Sequence, residues 1–201
     1  MTIEPDRGGG SREADLAEDG ALPRRPPDMM GGSGIANGDV RIRLARPGDG
    51  SGLTELHLDT AITLRGWDSA RFKVPDVDGM AEWIDADLET AGEECICFVA
   101  EVDGRIVGQV EARVHPPLES ARYQTVANLG LIRGEVNSLG VVSTHRRRGI
   151  GRALMAEAER WLKDRGAGVI VLDTFLRSPE SGPFYDALGY ERVSVVFERP
   201  I

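Results

Sequence analysis

Alternation of apolar and polar residues first becomes regular at Val40-Arg41-Ile42-Arg43-Leu44, a period of two that predicts a strand. Asp49 then stands where a helix cap is expected, ahead of Leu53, Leu56 and Leu58. A second helix is expected from Val77 to Leu88. The apolar runs that start at Cys97 and Arg105 flank Asp103-Gly104, a two-residue turn signal that predicts a hairpin. Its second strand should fade at Pro116-Pro117, since proline has no N–H to give to a ladder. From Leu118 to Gly134 no period is clear, and the stretch reads as an irregular connection with room for a short extra strand. Glu135 to Val142 reads as a strand, after which Ile150, Leu154, Ala158, Trp161 and Leu162 recur at helical spacing until Gly166. The branched run Val169-Ile170-Val171-Leu172 suits a strand buried in a parallel pair, so strand, helix and strand form one right-handed crossover. A last helix around Pro183 to Leu188 and a strand from Arg192 to Phe197 complete the pattern.

Ahead of this ordered part, residues 1–38 carry Gly8-Gly9-Gly10, Arg24-Arg25-Pro26-Pro27 and Gly31-Gly32-Ser33-Gly34 with few large apolar groups, which predicts a disordered tail before a domain at 39–201. The chain has 201 residues, and its hydrophobic share of 41% and charged share of 28% are those of a globular protein. No apolar run approaches the roughly 20 residues that a membrane helix needs. No secretory signal is recognisable, so a cytoplasmic location is expected. A formal net charge of -9 argues against nucleic acid as a partner, because such binding needs basic surface to neutralise phosphates, and it suits a cationic acceptor instead. Cys95 and Cys97 are one residue apart on an expected strand, so both thiols should share a face without a bond between them.

Against this acidic background one segment inverts the charge: Leu139-Gly140-Val141-Val142-Ser143-Thr144-His145-Arg146-Arg147-Arg148-Gly149-Ile150-Gly151-Arg152-Ala153-Leu154. It runs from a strand directly into a helix. A helix start leaves about four N–H groups unpaired and carries the positive end of the dipole, so a diphosphate satisfies both. Gly149 and Gly151 remove side chains where a phosphate must approach the backbone, and the arginines add fixed charge. A solvated glycine turn is the bland reading of any lone Gly-x-Gly.

Arg146-Arg147-Arg148-Gly149-Ile150-Gly151 resembles the signature of the GNAT superfamily of acetyl-coenzyme A dependent N-acetyltransferases: Arg or Gln, two residues, Gly, one residue, then Gly or Ala. Ser178 to Tyr190 resembles that family's second recurrent segment. The resemblance implies an α/β (α+β) fold, with a mixed, mostly antiparallel sheet flanked by helices and a parallel crossover at the acetyl-coenzyme A site. It implies that Arg146, Arg147, Arg148, Gly149, Ile150, Gly151, Arg152 and Ala153 hold the diphosphate. Leu139, Val141, Val142 and Ser143 would line the pantetheine and acetyl arm, with Ser178 and Tyr185 also at the cofactor. Many relatives carry Pro where Ser143 stands, Gly where Arg147 stands and Asn where Ser178 stands.

The same resemblance implies that the Tyr185 phenol protonates the departing thiolate, against the plainer reading that Phe184 and Tyr185 pack the last helix. Glu135 is the candidate base, because its six-residue spacing from Val141 on one strand predicts a shared face; a solvated glutamate at a strand start is the alternative. Glu111 is the reserve. The Val141 N–H is a candidate oxyanion donor, and transfer is expected to be direct, since neither cysteine has an evident activating partner. By family analogy the acceptor, a small-molecule or protein amine, meets Arg65, Trp67, Asp68, Glu82 and the Leu118–Gly134 connection, and a second subunit is a possible part of its wall. His57, His115 and His145 lack metal-site spacing, so no metal is expected. The competing class is a noncatalytic acyl-coenzyme A binding regulatory module. A nucleotide-binding protein is weaker, since neither the P-loop Lys-Ser or Lys-Thr nor the three-glycine dinucleotide pattern is present.

Overall fold

The computed structural model describes residues 40–199, so the expectation for residues 1–38 lies outside it. Five strands form one sheet in chain order: β1 (Arg41–Leu44), β2 (Cys95–Val102), β3 (Arg105–His115), β4 (Arg133–Val141) and β5 (Val169–Leu172). The first four pair antiparallel, and β4 pairs with β5 in parallel across the helix α3 (Ile150–Asp164), as the apolar pattern predicts. Helix α1 (Gly50–Trp67) and α3 lie on opposite faces. A Cβ at Gly140 would meet Leu56 and Thr60 of α1, whereas one at Gly108 would meet Leu154 and Ile150 of α3. The α3 face carries the core, where Val110, Ala112, Leu154, Met155, Ala158 and Leu162 are fully buried. Asp103-Gly104 makes the hairpin turn with φ of 49° and 75°, the left-handed pair that a tight type I′ connection requires. Cys95 and Cys97 do share a face, with neither bridged.

Three expectations are corrected. Asp49 does not cap α1. Its carboxylate turns back to β1, accepting from both terminal nitrogens of Arg43 at 2.7 and 2.9 Å and from the Arg46 amide at 2.9 Å. The cap comes from Asp85 on α2 (Met80–Thr90), whose Oδ1 accepts the amides of Gly48 at 2.9 Å and Gly50 at 2.8 Å. Gly50 is required there, since a Cβ would lie 2.2 Å from the Ala81 carbonyl oxygen. The second concerns only the short strand allowed for between Leu118 and Gly134: residues 118–132 are the expected irregular connection, with two 3-10 turns at Ala121–Tyr123 and Ala127–Gly130 and no strand. Third, Arg192–Phe197 forms no ladder. Its ends are tied by Arg192 to Asp186 and Glu198 to Arg71, and Val193 and Phe197 stay 85% and 93% exposed. Alternation is necessary for a half-buried strand, but only a hydrogen-bonded neighbour makes one.

The feature that shapes the site is in β4. Glu111 pairs with Ser138 and Ala112 with Val136, so Asn137 is an extra, unpaired residue, a β-bulge. Pairing with β5 ends at the same place, at Val136 opposite Leu172. The bulge also resets side-chain parity. Val136, Leu139 and Val141 all face α3, opposite Ala112, Val110 and Gly108, while Glu135 faces the α1 side. The shared face expected for Glu135 and Val141 from even spacing therefore fails.

Gly50→Ala is expected to cost roughly 2 kcal/mol through overpacking at the α1–α2 contact. In calorimetric unfolding this appears as a Tm lower by about 4–8 °C. A second expectation concerns pH. Burial pushes the Asp49 carboxyl up, but hydrogen bonds from Arg43 and the Arg46 amide outweigh it and leave the carboxyl below its ordinary value. Such a group stabilises the fold above its unfolded pKa, near about 4, and loses that contribution as pH falls through its folded value. Asp49→Asn should therefore cost about 1–3 kcal/mol at neutral pH, with the gap from the parent closing below about pH 4 in denaturant titrations.

Candidate functional site

Where β4 parts from β5, its backbone has no strand to bond. The Val142 amide donates to the Val107 carbonyl at 2.9 Å, so Val142 turns its polar groups toward β3. Alternation then directs the N–H and C=O of Leu139 and Val141 away from β3, into the gap. A cleft of about 490 Å³ occupies this gap, between α1, the start of α3 and α4 (Ser181–Asp186). Leu139, Gly140 and Val141 form one wall and Phe184, Tyr185 and Ala187 another, with Thr60, Thr63, Leu64 and Trp67 from α1 at the side.

One end of the cleft is the uncapped start of α3, where an anion is expected. Gly149, with φ of 84°, precedes α3, and no side chain caps the helix. The first intrahelical bond from this end runs from the Ala153 amide to the Gly149 carbonyl, so earlier amides remain for a ligand. A Cβ on Gly151 would sit 3.5 Å from Phe184 and 3.8 Å from Val141, ordinary contact that admits alanine and nothing larger without displacing the cleft wall. Arg147 takes φ of 62°, the left-handed region that a branched or long side chain rarely adopts. The backbone here asks for glycine, and an arginine in that place adds charge to the cleft rim at a conformational cost.

The four arginines do different work. Arg147 and Arg152 line the cleft, and neither has a hydrogen-bond partner among the described residues. The Arg148 guanidinium donates to the Thr144 carbonyl at 3.0 Å. Arg146 is structural: Nε donates to the Val141 carbonyl at 3.0 Å, a terminal nitrogen donates to Thr63 Oγ1 at 3.0 Å, and the other lies 3.6 Å from Glu180. Ser143 is likewise committed, since its amide and hydroxyl donate to Asp59 of α1 at 2.9 and 2.7 Å. Ser178 is buried, and its hydroxyl accepts the Ser181 amide at 3.0 Å, holding the first turn of α4 rather than reaching the cleft. Val142, Arg148 and Ala153 also lie off the cleft lining.

Tyr185 does reach the cleft. Its ring packs edge-on against Phe184 and Tyr190, and its hydroxyl has no hydrogen-bond partner among the described residues. Burial, helped by Asp173, raises its pKa above the ordinary phenol value, so it holds its proton at neutral pH. Glu135 lies outside the cleft lining, four residues or about 13 Å of strand before Leu139. Its Oε2 is 2.6 Å from His115 Nε2, a partnership that local spacing gave no reason to expect, because it joins β3 to β4 across the sheet. Glu111 accepts from Asn137 at 3.0 Å. The Cys97 thiol is pushed up to about 12, by burial first and then by Glu111 and other carboxylates, which leaves it unreactive.

Of the expected acceptor residues, Trp67 lines the cleft, whereas Arg65 lines a separate shallow hollow with Ile62 and Val74. Asp68 accepts from Arg177 at 3.3 Å and from the amides of Ala70 and Arg71 at 3.2 Å, and Glu82 is exposed on α2. Asp59, Thr60 and Thr63 enter the site without having been singled out, since hydroxyl and acid groups on an amphipathic helix carry no local mark of what they face. Among the described residues no group of three His, Cys, Asp or Glu is placed to hold a metal, and no helix is long and apolar enough to cross a membrane.

Comparison with known proteins agrees with this geometry. The chain is 26% identical over 190 residues to a mycothiol acetyltransferase of Thermomonospora curvata, covering 86% of this chain and 59% of that protein. It thus spans about three fifths of that relative's length. It is 32% identical over 115 residues to an aminoglycoside N(6')-acetyltransferase type 1 of Klebsiella aerogenes, covering 56% of this chain and 71% of the relative. Among solved structures, an aminoglycoside N-acetyltransferase in complex with CoA superposes with a TM-score of 0.57 at 19% identity, covering 82% of this chain and 96% of that one. The model of the Acetyltransferase (GNAT) family matches residues 61–190, a span that holds the bulged strand, the glycine-bearing helix start and Tyr185, and the chain belongs to that family.

Proposed function

We propose that this chain transfers an acetyl group from acetyl-coenzyme A to an amine. The observation that carries this reading is the open gap at the β4 bulge, where unpaired strand amides and an uncapped helix start face one cleft. The residues present fit the cofactor. The α3 amides, with Arg147 and Arg152, suit a diphosphate; Leu139 and Val141 can bond an amide-bearing arm by their backbone, as an added strand would. Acetyl-coenzyme A, when bound, supplies an acetyl group activated as a thioester.

The chain's own groups then handle the charges and protons. The Val141 N–H, turned into the gap, would donate to the thioester oxygen as negative charge develops there. Glu135, held by His115 on the α1 face of the sheet, takes the proton that an ammonium must lose before it attacks, relayed through water at this separation. As the C–N bond forms and the C–S bond breaks, Tyr185 gives its proton to the sulfur and regains one from solvent. Cys97 is too poor a nucleophile to carry an acyl group, which favours direct transfer. The free thiols also fit the cytoplasm as its working place.

Calorimetry is expected to find micromolar or tighter binding of coenzyme A. Arg147→Gly should weaken it several-fold by removing charge while raising unfolding stability by about 1 kcal/mol, as left-handed strain is relieved. No detectable affinity in the parent would end the reading. Once thiol release identifies an acceptor, Tyr185→Phe is expected to lower kcat by about 10²-fold or more, and Glu135→Gln to shift the acid limb of the pH–rate profile, both with coenzyme A affinity kept. Unchanged turnover in both would remove these residues from the chemistry.

A further inference from the structure

The sheet face shared with α1 carries a second cluster, at the end of β3 and β4 away from the diphosphate cradle. Strand register sets Arg113 opposite Glu135 and His115 opposite Arg133. Opposed residues have Cβ atoms about 4.5–5.5 Å apart, so the four side chains form one patch. Its one carboxylate is already engaged, by His115 at 2.6 Å. Glu111, the next residue of β3 on this face, is engaged by Asn137.

Both arginines are half-buried, and among the described residues neither has a hydrogen bond or a carboxylate within 4.0 Å. The Arg133 Nε is buried with no acceptor among the described residues. The half-buried Arg43 and Arg146, by contrast, each face a carboxylate, and the sequence has 33 acidic against 24 basic residues from which to supply one. A guanidinium drawn partly out of water without a partner is costly, and its planar fork matches a carboxylate or phosphate.

We infer that the acceptor is an amine that also bears an anionic group, a carboxylate or a phosphate, and that Arg113 and Arg133 grip this group beside Glu135. The inference rests on the acetyl transfer proposed above and names the acceptor's class. It reverses the expectation drawn from net charge: the acidic balance belongs to the whole chain, whereas neither of these guanidinium groups has a carboxylate within 4.0 Å among the described residues.

The test measures thiol release from acetyl-coenzyme A with matched acceptors whose amine and anion are far enough apart to span from Glu135 to the cleft: 6-aminohexanoate against 6-aminohexanamide, 6-aminohexyl phosphate against 6-aminohexanol, and spermidine as a polycation. The anionic member of at least one pair should exceed its neutral counterpart by about tenfold or more in kcat/KM, and the pair that responds tells carboxylate from phosphate. Arg113→Gln and Arg133→Gln should each cut that preference about tenfold, with calorimetric affinity for acetyl-coenzyme A held within about twofold. If Arg133→Gln lowers thermal stability, Arg133→Lys keeps the charge and should keep part of the preference. Preference for spermidine or the neutral members overturns the inference. So does a preference that survives both substitutions, or no turnover of any acceptor by protein that binds acetyl-coenzyme A. Failure to bind acetyl-coenzyme A would instead bring down the transfer reading itself.

Discussion

Backbone amides in a sheet must find acceptors, and the site exists because one strand is prevented from finding them. The single extra residue Asn137 bends β4 away from β5 just where their pairing stops at Val136 and Leu172. Every later part of the site uses that divergence. The parted strands leave a gap wide enough for a ligand, the strand's polar groups line it, and α3 begins at its mouth with its own amides unspent. Arg146 keeps the mouth in shape by tying the end of β4 to α1 and to the segment before α4.

Around that gap the structure separates charge from support. Arg147 and Arg152 remain available to an anion, while Arg146 and Ser143 are consumed by α1 and β4. The two groups proposed to move protons divide in the same way. Tyr185 sits in a buried aromatic cluster that keeps it protonated, and Glu135 sits on the opposite face of the sheet from Val141 with His115 beside it.

What the amino-acid pattern revealed was local. Branched residues at Val169–Leu172, the helical spacing from Ile150 to Leu162, Asp103-Gly104 and the run Arg146–Gly151 each carry their structural cause within a few neighbours, and each was legible. The failures were of another kind. Asp85 caps a helix 35 positions earlier, His115 meets Glu135 across two strands, and Asp59 reaches Ser143 from 84 positions away. A bulge leaves no mark in hydrophobic period, yet it moved Glu135 to the other face and undid a parity argument that would hold on a regular strand. Arg192–Phe197 shows the converse, alternation with no neighbour to pair.

The cap that Asp85 supplies has a mechanical side. It fastens α2 to the first turn of α1, and the close approach at Gly50 leaves no slack between them. Helix α1 in turn presents Thr60, Thr63 and Trp67 to the cleft. The two helices are thus joined at one end, so strain carried into α2 is passed to the α1 residues that line the cleft.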